Sequence, residues 1–148
     1  PSPCSRVVIC HRDPAEAIPS MCYLVESIFR SYWEPNTWDL RTLGAFVTRL
    51  YKTMTDRMMV FRDSNPHLAS QFLDLKFKNL TAKPMEAVKQ VYNFYGMPLR
   101  DDVEQKMNNY LHDNPKHRHG QPDFTLEKYG LNKEQIHCDF QQYISRYL

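Results

Sequence analysis

A chain of 148 residues with 42% hydrophobic content can build one core of ordinary size, and it equally fits a piece of a larger domain. Lys+Arg 19 against Asp+Glu 17 leaves a net charge of +2, too balanced for general nucleic-acid binding, and no apolar run approaches the ~20 residues that span a bilayer. Cys4, Cys10, Cys22 and Cys138 form no CxxC pair, and Cys10 and Cys22 fall at positions expected to be buried, so free thiols in a reducing, cytoplasmic setting are expected.

The first element is a strand. Val7, Val8, Ile9 and Cys10 form a continuous, largely β-branched run of the kind buried on both faces of a parallel sheet. Asp13 then Pro14 supplies an N-cap and a residue preset for the first helical turn. The helix they start, from about Pro14 to Ser31, places Ile18, Cys22, Val25, Phe29 and Tyr32 on one stripe. Pro19 removes one backbone donor early in that helix and should bend it slightly. Trp33-Glu34-Pro35-Asn36 breaks it, and a longer helix follows with Leu40, Leu43, Val47, Leu50, Met54, Met58 and Phe61 on its apolar face. Met54, Met58 and Met59 read as core.

Ser64-Asn65-Pro66 stops that helix, and Phe72 to Leu75 makes the second strand. Pro84 at N1 and Gly96 at C′ bracket a helix whose Val88, Val91, Tyr92 and Tyr95 align. Val103, Met107, Tyr110 and Leu111 mark the next helix, and Ile136, Phe140, Tyr143, Ile144 and Tyr147 mark the last. Two strands and five helices suit an α/β nucleotide fold with a parallel sheet, seen in its second half and mostly helical here.

The chemistry concentrates where the first strand becomes the first helix. Arg12 stands at the carboxyl end of that strand, the crevice in which open α/β sheets bind ligands, and the following helix offers free N–H groups and a positive dipole end to an anion. Phosphate is the obvious candidate, since an Arg fork matches its geometry. His11 beside Arg12 is read as structural, because neighbouring strand residues point to opposite faces. His112, His117, His119 and His137 with Cys138 have neither the helical nor the finger spacing of a zinc site, so no metal is expected.

The Arg12-Asp13-Pro14 to Ser20 arrangement resembles the 3′-phosphate-binding segment of sulfotransferases that use 3′-phosphoadenosine 5′-phosphosulfate. Further landmarks follow in the family's order. Phe72-Leu73-Asp74-Leu75-Lys76-Phe77-Lys78-Asn79-Leu80 with Lys83-Pro84 is similar to its strand, turn and Pro-started helix, although Phe77 and Lys78 replace the usual Tyr and Glu, and Phe77 brings no hydroxyl. Val88 to Gly96 with Met97-Pro98-Leu99 is similar to its Gly-closed helix and Pro-Leu start. Asn114 to Gly120 with Phe124 to Glu127 and Tyr129-Gly130-Leu131 resembles the basic Gly-containing loop of a bacterial-type branch.

The resemblance implies that Arg12, Ser20, Lys116, Arg118 and Gly120 bind the nucleotide sulfate donor, and that a sulfuryl group moves in line to a hydroxyl or amine of a small-molecule, glycan or lipid acceptor. It further implies a phosphosulfate loop and a catalytic His upstream of Arg6, and neither is among residues 1–5. The chain therefore reads as the carboxyl-terminal part of a single sulfotransferase domain, inactive by itself. No signal peptide heads it, and a membrane anchor upstream of Pro1 stays open. The other reading is a non-catalytic nucleotide-binding or interaction module of the same fold. The catalytic group and the acceptor are not legible, although the stretch from Trp33 to Phe61 is available to line an acceptor pocket.

Overall fold

The computed structural model describes residues 5–30, 32, 39–114 and 124–148. The chain divides into two compact units, one built from Pro1–His11 and His67–Pro122, the other from Arg12–Pro66 and Asp123–Leu148.

In the first unit, strand β1 (Val7–His11) pairs in parallel with β2 (Phe72–Lys76), in a register that sets Val7 against Phe72 and His11 against Lys76. Both strands fall where the apolar runs put them, and the sheet is parallel as expected. Its cover differs from expectation. Val7 is 39% exposed and Cys10 is also exposed, so β1 is not buried on both faces. Among the described residues the sheet has only these two strands, and a two-stranded ribbon has too little neighbouring surface to enclose an alternating strand.

Helix α1 (Pro14–Phe29) and helix α2 (Leu40–Ser64) belong to the second unit, while α3 (Phe77–Ala82), α4 (Pro84–Tyr95) and α5 (Asp101–Asp113) follow β2 in the first. Pro84 opens α4 and Gly96 closes it in the left-handed conformation, φ 68°, with the Met97 N–H reaching back to the Tyr92 carbonyl. The buried position of α4 is Ala87, whereas Tyr95 is exposed. The Tyr95 hydroxyl donates to the Arg6 carbonyl at 3.2 Å, and the Arg6 guanidinium donates to the Phe94 carbonyl and stacks on the Phe94 ring. A cation at the helix's carbonyl end thus ties the start of β1 to the last turn of α4. On α5, Tyr110 and Leu111 are exposed, and no residue of that helix is fully buried.

The second unit holds the larger core. Ala15, Ile18 and Cys22 of α1 meet Leu43 and Val47 of α2, Tyr129 of a 3-10 turn (Glu127–Tyr129), and Ile136 and Phe140 near the carboxyl end. Full burial of side chains such as Ile18 and Val47 is worth about 1.5–3 kcal/mol each. The terminal pattern, expected as one helix, is two: α6 (Lys133–Asp139) and α7 (Gln141–Tyr147), broken at Phe140, whose backbone leaves the helical region at φ −105°, ψ 16°. The break costs few hydrogen bonds, since the Phe140 N–H still reaches the Ile136 carbonyl and its own carbonyl accepts from Ile144.

The apolar stripe of α2 also departs from expectation. Leu43, Val47, Thr55 and Met59 are buried and Tyr51 half-buried, while Leu50, Met54 and Phe61 face outward. The buried row advances by fours. It admits Thr55 because that hydroxyl bonds within the helix to the Tyr51 and Lys52 carbonyls, 3.1 and 3.0 Å away. The Tyr51 ring packs 5.8 Å from that of Phe140, and Arg146 pairs with Asp63 at 2.7 Å, so α7 lies against α2.

Candidate functional site: the start of helix α1

Asp13 performs the capping expected of it. Its Oδ1 accepts from the Ala15 N–H at 2.9 Å, and its carbonyl accepts from the N–H groups of Glu16 and Ala17. Pro14 fills the first helical position, where a missing N–H costs nothing. The cap is held from outside as well, because His137 Nε2 of α6 lies 3.0 Å from Asp13 Oδ1 and 3.2 Å from Oδ2.

Arg12 precedes this cap, directly after the last residue of β1, with about a quarter of its side chain (28%) exposed. Its Nε donates to Glu16 Oε2 at 3.2 Å, one turn into α1. Ser20 stands one further turn along, partly buried. Glu16 and Ser20, four apart on α1, share a helix face, and the Arg12 guanidinium reaches that face through its bond to Glu16. The free N–H groups expected of the first turn are absent, because Pro14 has none and Asp13 takes those of Ala15, Glu16 and Ala17, so it is the dipole's positive end and Arg12 that favour an anion there.

The phenols of Tyr143 on α7 and Tyr51 on α2 influence each other, and Tyr143 is buried with its ring 5.4 Å from that of Tyr147. Burial pushes both phenols above their ordinary value, so both keep their protons throughout the neutral range.

Lys116, Arg118 and Gly120 lie outside the described residues. His11 is buried (1% exposed), and its Nε2 lies 2.8 Å from Asp74 Oδ1 on β2, diagonally across the parallel ladder. Among the described residues no cluster of three or more His, Cys, Asp or Glu side chains is placed to hold a metal ion, and no helix is long and apolar enough to cross a membrane.

Sequence reasoning missed Glu26. It is buried on α1, and three groups converge on it: Arg30 at 2.5 Å on Oε1, with Lys128 and the Tyr129 hydroxyl each at 2.8 Å on Oε2. Burial pushes this carboxyl up, yet the hydrogen bonds from Lys128, Tyr129 and Arg30 together outweigh it and hold the group below its ordinary value. A Glu seven places before a Pro-containing break carries no local mark of burial. Only the stripe Ala15, Ile18, Cys22, continued in steps of three and four to 26, pointed there.

The chain superposes on the crystal structure of sulfotransferase STF9 from Mycobacterium avium with a TM-score of 0.81 at 23% identity, over 96% of this chain and 36% of that one. Sulfotransferase STF1 from Mycobacterium tuberculosis H37Rv superposes with a TM-score of 0.65 at 22% identity, over 93% of this chain and 33% of that one. The chain thus spans about a third of the length of these solved relatives, and at such identities the likeness is one of fold. No curated protein matches the sequence. The basic strand end, the capped helix behind it and the Pro84-to-Gly96 helix all fall inside residues 2–102, the stretch that matches the model of the sulfotransferase family, and to that family the chain belongs.

Proposed function

We propose that this chain forms the carboxyl-terminal, 3′-phosphate-recognising part of a sulfotransferase domain that moves a sulfuryl group from 3′-phosphoadenosine 5′-phosphosulfate to a hydroxyl or amine. The observation that carries the reading is the placing of Arg12 at the amino-terminal end of α1, where its guanidinium reaches Glu16, one turn before Ser20, and sets a cation at the helix's positive end. Sulfuryl transfer, like phosphoryl transfer, depends on positioning and charge neutralisation, so cations and N–H donors are the equipment it needs. For Lys116, Arg118 and Gly120 the sequence resemblance alone supports a part in the same recognition. The acceptor is a small molecule, glycan or lipid. In the second unit, a groove of about 580 Å³ beside α2, with Leu131, Ile136 and Phe140 among its walls, is concave surface of a size to take one.

The test uses a protein carrying this chain within a whole sulfotransferase domain. Arg12→Ala should weaken binding of adenosine 3′,5′-bisphosphate by about 1.5–3 kcal/mol, and Ser20→Ala by about 0.5–1.5 kcal/mol, with less effect on the analogue lacking the 3′-phosphate. Equal affinity of wild type and Arg12→Ala for the bisphosphate rejects the assignment. Replacing Lys116 and Arg118 together by Ala should likewise erode the preference for the bisphosphate. Uniformly weaker binding of both nucleotides would mark a general electrostatic effect.

The 148-residue chain alone should form no sulfated product, because none of its four glycines lies in a Gly-x-x-x-x-Gly-Lys-Ser/Thr context. Product above a no-protein blank would show that the chain needs no further segment.

A further inference from the structure

Helix α6 lies beyond residue 102, where the match to the family model ends, and it belongs to the same compact unit as α1. From α6, His137 reaches the capping residue of α1, with its Nε2 at 3.0 Å from Asp13 Oδ1 and 3.2 Å from Oδ2. An ionised carboxylate only accepts, so Nε2 carries the proton and donates. The Ala15 N–H already occupies Oδ1 at 2.9 Å. A helix cap needs that one bond from its side chain, so the ring of His137 is in excess of what capping requires.

The excess matters to Arg12. That residue stands between two carboxylates, Asp13 next to it in the chain and Glu16 one turn into α1, and its Nε pairs with Glu16 at 3.2 Å. A carboxylate that a guanidinium can turn to competes with phosphate for the same fork. Asp13 does not take part in that competition while both its oxygens are held by His137.

We infer that His137 is a positioning residue for the anion site at Arg12, holding the Asp13 carboxylate in the cap and off the neighbouring guanidinium. The inference rests on the reading of Arg12 as a ligand of the 3′-phosphate, and it adds a residue of α6 on which that recognition depends. His137 itself touches no nucleotide. It acts through Asp13.

In the whole-domain protein, His137→Ala should quicken amide hydrogen exchange at Ala15 roughly fivefold, the size set by one lost hydrogen bond at the cap. The preference for adenosine 3′,5′-bisphosphate over adenosine 5′-phosphate should fall roughly two- to fivefold, the range of the exposed ion pair that a released Asp13 can form with Arg12. His137→Gln, whose amide N–H can donate in place of Nε2, should recover most of both effects. Asp13→Ser keeps a capping oxygen and removes the competing charge. It should hold the preference at or above the wild-type level, and adding His137→Ala to it should cost nothing further.

Unchanged exchange at Ala15 or an unchanged preference in His137→Ala overturns the inference. So does a loss that persists in full in the Asp13→Ser background, since His137 would then act by a route other than the cap. A fall in preference in Asp13→Ser equal to that in His137→Ala overturns it as well, because the carboxylate would then be needed and not restrained. A wild-type protein with no preference between the two nucleotides would reject Arg12 as the phosphate ligand and the inference with it, whereas a preference that His137→Ala leaves intact rejects the inference alone.

Discussion

Tyr129 donates its hydroxyl hydrogen to Glu26 Oε2 at 2.8 Å, across 103 residues of sequence. With Lys128 on the same oxygen and Arg30 on the other, this contact binds α1 to the turn that precedes α6. Removing the carboxylate leaves a fully buried phenol without its acceptor and a lysine without its counter-charge. Glu26→Ala should therefore cost about 3 kcal/mol of unfolding free energy in urea titrations. A loss under about 1 kcal/mol would show the node to be ornamental to stability.

The same node sets an acid limit. A glutamate in an unfolded chain ionises near pH 4.3. The native Glu26 does so at lower pH, held there against its own burial by its three donors. The folded state thus binds fewer protons in that window, and the stabilisation is complete above about pH 4.3 and lost as pH falls through the native value. The stability gap between wild type and Glu26→Gln should narrow from about pH 6 to about pH 3. A gap constant over that range would contradict the assignment.

Gly44 is where α2 and the 3-10 turn come closest. A Cβ there would lie 2.3 Å from the Tyr129 carbonyl oxygen and 3.0 Å from the Tyr129 Cβ, and a backbone oxygen cannot step aside. Gly to Ala within an exposed helix gains about 1 kcal/mol. Gly44→Ala should instead lose about 2–3 kcal/mol by overpacking, and should free Tyr129 from Glu26. Gly96→Ala is the control. It meets nothing within 4 Å and bears only the conformational cost of its positive φ, about 1 kcal/mol. Equal melting temperatures for the two variants would rule out the close approach as the cause.

Burial pushes the Cys22 thiol up to about 11, so it holds its proton at neutral pH, whereas Cys10 and Cys138 are exposed. Site-resolved mass spectrometry after treatment with a thiol reagent should find Cys10 and Cys138 modified within minutes, with Cys22 modified only as fast as the unit opens. Cys22 labelled as quickly as Cys138 would mean that the core around Ile18 is not closed.

Glu16 competes with any anion for the Arg12 guanidinium. Glu16→Gln should raise affinity for adenosine 3′,5′-bisphosphate by up to about fivefold, the range of an exposed ion pair, and the gain should shrink in high salt. Weaker binding by the Gln variant would indicate that the carboxylate orients Arg12.

Much of this fold could be read from local chemistry. Asp13 with Pro14, and Pro84 with Gly96, each satisfy or remove particular backbone groups within a few residues, so their meaning does not depend on what packs nearby. Glu16 and Ser20 share a face of α1 by helical spacing, and Arg12, just before the cap, joins them through its ion pair with Glu16.

Burial was not legible in this way. Cys10 and Val7 look like core residues and are exposed, because strand burial depends on how many neighbours a sheet has. Leu50 and Met54 look like the inner face of α2, yet Thr55 lies inside, because its hydroxyl is satisfied within its own helix and Tyr51 has Phe140 to meet.

By itself the sequence determined the strand-to-helix junction, the capping of α1 and the ends of α4, all of which follow from interactions between near neighbours. Only the tertiary structure decided that Glu26 is an internal anchor and that His137 meets the Asp13 cap, since each is a contact between residues more than 100 positions apart. Nothing in either partner's own surroundings encodes such a contact until the helices pack.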